Sequence, residues 1–385
     1  MKYRLLIRII TISLLVLLIT LIASLGIWMV KPKKHLKAFI LNKTVPTKQR
    51  YDHRAVSWVL QHEKYVKSND VFYKPDRDYF GFYPVDAEEK KFNFKSLALQ
   101  DIELVSDTAD LVYYADTYGV YYSDWYASNM KIDPKQKVYG GMNQNDYLLL
   151  KRMKERNKSI ITEFVMLGNP TSALVRTKTE DLFGLKWHGW VGKYFENLDL
   201  TTGNRLPDWI VNLYKSQNEG KWPFKKSGVI LIHQYGKVLV LEQDNHLVSG
   251  LPEVYTEKDK AQEYNLPQSI HYPYWFDIVS SKPLNDTLSH FKLHTTSKGD
   301  SLLRAHRLNN TFPAVIQHKG DYTFYYFAGD FADSDVKMWN SYFAGIQGIH
   351  SFILSKETAN KRNFFWKFYN PLMKNILKEI YNSKD

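Results

Sequence analysis

No cysteine occurs anywhere in the 385 residues. The chain can form no disulfide, no thiolate metal site and no cysteine nucleophile, so those chemistries are excluded. Acidic residues are missing from the first fifty positions, which hold ten basic ones: Lys2, Arg4, Arg8, Lys31, Lys33, Lys34, Lys37, Lys43, Lys48 and Arg50. Most of the formal net charge of +12 is concentrated there, because residues 51–385 carry 42 basic and 40 acidic side chains. A folded nucleic-acid binder carries a basic excess on its domain to neutralise phosphates, so this near-neutral remainder argues against nucleic acid as a partner. Metal-binding spacings are missing as well: there is no His-x-His, His-Glu-x-x-His or EF-hand loop, and neither a metal nor a cofactor is expected.

One long hydrophobic run is present. Ile9 to Val30 is uncharged and mostly apolar, and as a helix at about 1.5 Å per residue it reaches roughly 33 Å, enough to cross a bilayer. A signal peptide has an apolar core of only about 7 to 15 residues before a small-residue cleavage site, and here Ala23-Ser24-Leu25-Gly26 is followed by further apolar residues. The pattern predicts a basic tail (1–8), an uncleaved single transmembrane helix (9–30), a basic linker (31–36) and one domain (37–385). Lys and Arg flank the span on both sides; a short basic N-terminal tail usually stays inside while large domains translocate with little regard to charge. The expected location is the cytoplasmic (inner) membrane, with an extracytoplasmic C-terminal domain.

Within that domain, Leu36–Leu41 and Leu111–Ala115 read as strands, His53–Tyr65 as a helix, and residues 68–98 as an irregular surface region. Tyr139-Gly140-Gly141 reads as a turn. Asn143 can cap the next helix with Asp146 at its third position, Asn157 can end it in a left-handed conformation, and Ser159–Phe164 is a buried strand. Strand, helix, strand with continuously apolar strands predicts an α/β fold with a largely parallel sheet. A cap at Asn169-Pro170 opens a helix through Phe183 that stops at Gly184. Two hairpins, around Gln234-Tyr235-Gly236 and Lys319-Gly320-Asp321, place antiparallel additions in 228–330, and an amphipathic helix spans 363–381.

The Gly140-Gly141 turn, the helix after it and the buried strand to Phe164 resemble the centre of the class I glutamine amidotransferase-like superfamily, whose relatives include accessory domains of β-galactosidases and trehalose-utilisation-type proteins. The resemblance implies a flavodoxin-like sheet with helices on both faces and a ligand pocket over the strand ends. In active members the strand ends in a Gly-x-Cys-x-Gly elbow, with a histidine from a His-x-Glu pair. Here the stretch is Ile161-Thr162-Glu163-Phe164-Val165-Met166, without the cysteine or either glycine, so the resemblance implies architecture and not amidotransfer.

Open α/β sheets bind ligands beyond the carboxyl ends of their strands, which selects the candidate residues. Asp116, Tyr118, Tyr121 and Asp124 follow a predicted strand; they suit sugar binding, or Asp116 caps a turn in an aromatic loop. Glu163 closes the next strand, either as a catalytic acid or as a satisfied structural one, and Asn169 stands at the following helix entrance. His188 lies between two tryptophans, with Trp190 beside it. Tyr274 and Trp275 suit a carbohydrate groove or a rigid loop beside Pro273. Asp330 and Asp333 follow a late strand, where paired carboxylates suit general acid–base work on a glycosidic bond, or simple turn capping. Catalytic roles fall to Asp116, Glu163 and Asp330, and ligand contacts to the rest. Three functions remain open: an anchored binder or processing aid for a cell-envelope polysaccharide, a carboxylate-dependent glycoside hydrolase, or an assembly protein that meets envelope partners without a small-molecule site.

Overall fold

The computed structural model describes residues 2–126, 136–203, 206–353 and 360–384. Its first helix, α1 (Lys2–Val30), is apolar and long enough to cross a membrane. The last two turns of α1 are packed on the domain. Trp28 is buried, donates its indole N–H to the His62 carbonyl (3.0 Å) and meets the Tyr342 ring edge-on, while Ser24 exchanges hydrogen bonds with the backbone of Ala344.

The domain is α/β. The strands of its two larger sheets, in chain order, are β1 (Ala38–Asn42), β2 (Phe80–Asp86), β3 (Lys91–Lys95), β4 (Leu111–Asp116), β5 (Ser159–Glu163), β6 (Leu185–Phe195), β7 (Gly228–His233), β8 (Val238–Glu242), β9 (Glu253–Thr256), β10 (Ser269–His271), β11 (Trp275–Ser281), β12 (Asp286–Lys292), β13 (Thr311–Lys319) and β14 (Thr323–Phe327). Ten of them form one sheet in the order β10-β9-β12-β13-β14-β5-β4-β1-β2-β3. Its centre, β14-β5-β4-β1-β2, is parallel, and the flanking pairs are antiparallel. A second, antiparallel sheet has the order β8-β7-β6-β11.

Helices cover both faces of the large sheet, as successive residues of one strand show. Tyr113 and Tyr114 of β4 point in opposite directions. Tyr113 reaches Tyr369 in the C-terminal helical run, and Tyr114 donates to the Asp146 carbonyl in the helix Gln144–Glu155. That helix opens with the expected capping box, Asn143 accepting from the Asn145 and Asp146 amides and Asp146 answering the Asn143 amide. It ends with Asn157 in the left-handed region at φ 55°.

Several elements differ from the sequence reading. Residues 68–98 are not wholly irregular: β2 and β3 form a hairpin that extends the sheet. Ser172, not Asn169, caps the helix Ala173–Phe183. β6 was not expected, because its alternation is broken at a bulge between Trp187 and Val191. The C-terminal helical run extends from Lys361 to Asn382 and widens to a π-helix over Phe365–Tyr369 just ahead of Pro371. Proline lacks the N–H and crowds the preceding turn, which the wider turn accommodates.

Candidate functional site

The parallel strands β1, β4, β5 and β14 all end on one edge, and the edge gathers acids. A register shift between β1 and β4 sets Asn42 opposite Asp116 instead of Ala115. Bulges of this kind re-aim a side chain. Asp116 Oδ1 accepts from the Thr44 hydroxyl (2.7 Å) and the Tyr118 amide (2.6 Å), and the Thr44 oxygen in turn accepts from the Gly119 amide. Gly119 has φ +106°, and a Cβ there would sit 2.1 Å from the Tyr139 carbonyl oxygen; one on Gly140 would sit 2.4 Å from Gly119 Cα. Two glycines in backbone contact therefore hold the Asp116 loop against the Gly140-Gly141 turn.

Asp52, in the first turn of the helix Tyr51–His62, faces the same point. Burial first, then the charges of Asp116 and Asp333, hold its carboxyl well above the usual range, against a hydrogen bond from Asn42. Burial and Asp333 also push Asp116 up to about 6, with Thr44 and the Tyr118 amide opposing. Asp116 is 7% exposed, and Asp52 and Asp333 are half-buried. His53 bonds through Nε2 to the Pro75 carbonyl and through Nδ1 to the Asn42 amide group. That pairing fixes the Nε2–H tautomer, and burial lowers the ring to about 4, so His53 is a neutral prop for Asn42. Lys43, next to Asn42, meets Asp146 Oδ2 through Nζ at 2.5 Å and the Gly141 carbonyl at 2.9 Å, tying the end of β1 to the Gly-Gly turn through a buried ion pair.

The neighbouring strand end is occupied by structure. Glu163 is 1% exposed; it accepts from the Tyr113 hydroxyl and from the Ala332 amide (3.0 Å). Burial raises its carboxyl well above the usual range despite those bonds. Glu163 is a satisfied structural acid that fixes the turn after β14, which corrects its assignment as catalytic. Two residues on, Val165 has φ 65°, a left-handed conformation that a β-branched residue rarely adopts. The Val165 amide donates to Asp277 Oδ2 (3.0 Å), and its carbonyl accepts from Thr117 Oγ1 and the Gly168 amide. Asp277 also accepts from the Tyr326 hydroxyl (2.6 Å), and burial pushes it up to about 7. A sharp elbow thus follows β5, with a buried valine at its apex.

The remaining sequence-derived residues divide. Tyr118, 42% exposed, and Tyr121 lie ring to ring at 4.9 Å beside Asp116. Asp124 caps its own short helix by accepting from the Tyr121 amide. Buried Tyr274 lies near Asp330 and Asp333, whose charges help raise its hydroxyl after burial. Asp330 leaves β14 toward the second sheet, its amide donating to the Trp275 carbonyl. Trp275 stacks under Lys193 and packs with the smaller core. His188 bonds Ser280, and Trp190 is buried beside His233, both within the second sheet. Asn169 accepts from Arg176. The geometry therefore brings together Asp116, Asp333, Tyr118 and Tyr121, and separates His188, Trp190, Trp275 and Asn169 from them. Sequence reasoning missed Asn42, Thr44, Asp52 and Asp277. Only Asp277 carried a signal, standing two residues after the candidate Trp275. No group of three or more His, Asp or Glu side chains among the described residues is arranged to hold a metal ion.

No family model matches the chain, and no curated protein matches it. Among solved structures, a ThuA-like protein from Bacteroides uniformis aligns at 11% identity and a TM-score of 0.39, covering 92% of this chain and 94% of that one. A second ThuA-like protein, from Parabacteroides merdae, aligns at 8% identity and a TM-score of 0.35, covering 77% and 79%.

Proposed function

We propose that this chain is a membrane-anchored, extracytoplasmic member of the glutamine amidotransferase-like superfamily that has no amidotransferase chemistry and binds a cell-envelope polysaccharide at the edge of its parallel sheet. The carrying observation is the convergence of Asp52, Asp116 and Asp333 beside the Tyr118–Tyr121 pair. Carboxyls with raised pKa both donate to and accept from hydroxyls, and tyrosine faces stack on sugar rings. Three mutually repelling acids disfavour anions, so the ligand is a neutral or amine-bearing glycan. Burial of Trp28 and Ser24 against the domain supports a retained anchor, since cleavage after α1 would strip a packed tryptophan from the fold.

Binding of envelope polysaccharide fractions to the full chain in neutral detergent micelles tests this reading. Retention by wild type and loss in a folded Asp116→Asn/Asp333→Asn variant is the expected result; equal retention by both sinks it. A second reading, glycoside hydrolysis, draws on Asp116 near 6 beside another carboxylate, the pattern of a general acid. Release of reducing ends, with a rate that falls above pH 6, would favour hydrolysis over binding alone.

A further inference from the structure

The helix α2 (Tyr51–His62) turns Asp52 toward Asp116 and Asp333, whereas Arg50 and Arg54 line an open groove of about 350 Å³ with Lys48, Lys337, Met338 and Trp339. Among the described residues, four cations and one carboxylate, Asp76, line it. Arg50 stands in the left-handed region at φ 53° and donates to the Lys48 carbonyl (2.7 Å); Arg54 donates to the Gln49 carbonyl. Both Nε atoms are buried without a hydrogen-bond partner, and neither guanidinium pairs with a carboxylate among the described residues. Burial, and after it the charge of Arg50, lower the Arg54 pKa against opposing contributions from Tyr51 and Asp335. Arg50 also bonds the Tyr79 hydroxyl and Arg54 lies over the Tyr51 ring at 5.2 Å, yet two half-buried guanidiniums that repel one another and keep an unpaired Nε–H each form an arrangement that an anion stabilises.

The groove also has a fixed place relative to α1. Lys337, Met338 and Trp339 open the 3₁₀ turn Met338–Tyr342, whose far end rests on Trp28, with Ala344 bonded to Ser24. At about 2 Å per residue, Trp339 lies roughly 6 Å along that turn from Tyr342, whose ring meets Trp28 near the end of the apolar helix. Trp339 is 65% exposed there. Tryptophan is enriched at the level of lipid headgroups, and basic side chains near a membrane surface meet anionic lipid.

We infer that this groove binds the phosphodiester of an anionic phospholipid headgroup, seating the first turn of α2 on the bilayer surface beside α1. The inference rests on α1 being a membrane span but not on the glycan reading. Phosphate is the shared chemistry of a lipid headgroup and a free anion, and Trp339 and the nearby span favour the lipid.

The full chain in neutral maltoside micelles is titrated with dihexanoyl phosphatidylglycerol, dihexanoyl phosphatidylcholine and inorganic phosphate, with bound ligand read by native mass spectrometry. Phosphatidylglycerol should bind at least about tenfold more tightly than the other two, and Arg50→Gln/Arg54→Gln should weaken it about tenfold or more. Equal binding of the two lipids, unchanged binding in the folded variant, or inorganic phosphate binding as tightly as phosphatidylglycerol would each overturn the inference. Should that variant lose its near-ultraviolet circular dichroism, the exposed pair Lys48→Gln/Lys337→Gln replaces it. Its expected loss is about threefold, and no loss overturns the inference equally. Release of the chain from membranes by alkaline carbonate would remove the span, whereas headgroup selectivity in micelles reads the groove independently of it.

Discussion

Strands β4 and β5 lie side by side, parallel, and end on the same edge in Asp116 and Glu163. The two acids occupy equivalent places in the topology and have opposite fates. Glu163 is consumed: a tyrosine hydroxyl and the backbone after β14 saturate it at 1% exposure. Asp116 spends one oxygen on Thr44 and the Tyr118 amide and stands in the field of Asp333 and near Asp52. A carboxylate at a strand end is thus an address and not a role. The role depends on whether the next segment of chain folds over the acid, as 331–332 does over Glu163, or turns aside, as 117–119 does at Asp116.

The largest effect should come from the consumed acid. Glu163→Ala leaves the buried Ala332 amide without an acceptor, at about 1–3 kcal/mol, and takes one of two partners from the Tyr113 hydroxyl, which keeps Tyr369, at about 0.5–1.5 kcal/mol, so a loss of roughly 2–4 kcal/mol is expected. Glu163→Gln keeps an acceptor and should lose far less. Urea midpoints of the full chain in micelles measure both. A stable Glu163→Ala protein that has lost glycan binding would reverse the contrast between the two strand ends.

Next in size is the response to pH. Asp277 near 7 and Asp116 near 6 both stand above the ordinary aspartate value of 3.8, so the native state holds their protons longer than the unfolded chain does. Stability from these groups is fully present below pH 4 and declines as pH rises through 4 to 7. Shifts of two to three units correspond to about 3–4 kcal/mol for each group as an upper bound. Buried His53, held near 4, acts with the opposite sign between pH 4 and 6.5, so the acids are read from the difference between wild type and Asp277→Asn: relative to wild type, the variant's thermal midpoint should gain steadily from pH 4.5 to 8. A constant difference over that interval contradicts the buried-acid picture.

What the sequence disclosed follows the range of the interactions. The capping box of Asn143 and Asp146 and the stop at Asn157 were legible because each is made within a few residues. The hairpins β7–β8 and β13–β14 were legible from their turns and alternation. Asp52 was not, since its place depends on the docking of a helix against the ends of β1 and β4. The Lys43–Asp146 pair joins residues 103 apart, and no local pattern announces it. Glu163 illustrates the converse: its strand was read correctly, but its partners Tyr113 and Ala332 lie 50 and 169 residues away. The groove at Arg50 was equally hidden, because Lys337 and Trp339 reach it from the other end of the chain.

Asp116→Asn separates folding from binding at the open strand end. The asparagine oxygen can keep both bonds that Oδ1 accepts, and the substitution removes a charge that raises the Asp52 carboxyl. Stability at pH 8 should hold or rise, while glycan affinity should drop about tenfold to a hundredfold, as for loss of a charged hydrogen bond worth about 1.5–3 kcal/mol. Parallel losses of stability and affinity would make Asp116 a structural acid like Glu163.

The smallest effect concerns the elbow beyond Glu163, and there two terms oppose. Val165→Gly removes a buried side chain, which costs about 1.5–3 kcal/mol in lost burial. Glycine accepts φ 65° freely, whereas the valine is held there at about 1–3 kcal/mol of backbone strain. The amide still reaches Asp277, because that bond uses only backbone. Those terms nearly cancel and the unfolded-state freedom of glycine adds about 0.5–1 kcal/mol, so stability should fall by only about 1 kcal/mol. Val112, fully buried in β4, supplies the control. The same substitution there relieves no strain and adds the entropy of a glycine within a strand, so it should cost about 2.5–4 kcal/mol. Equal losses at the two positions in paired urea titrations would mean that Val165 carries no strain in solution.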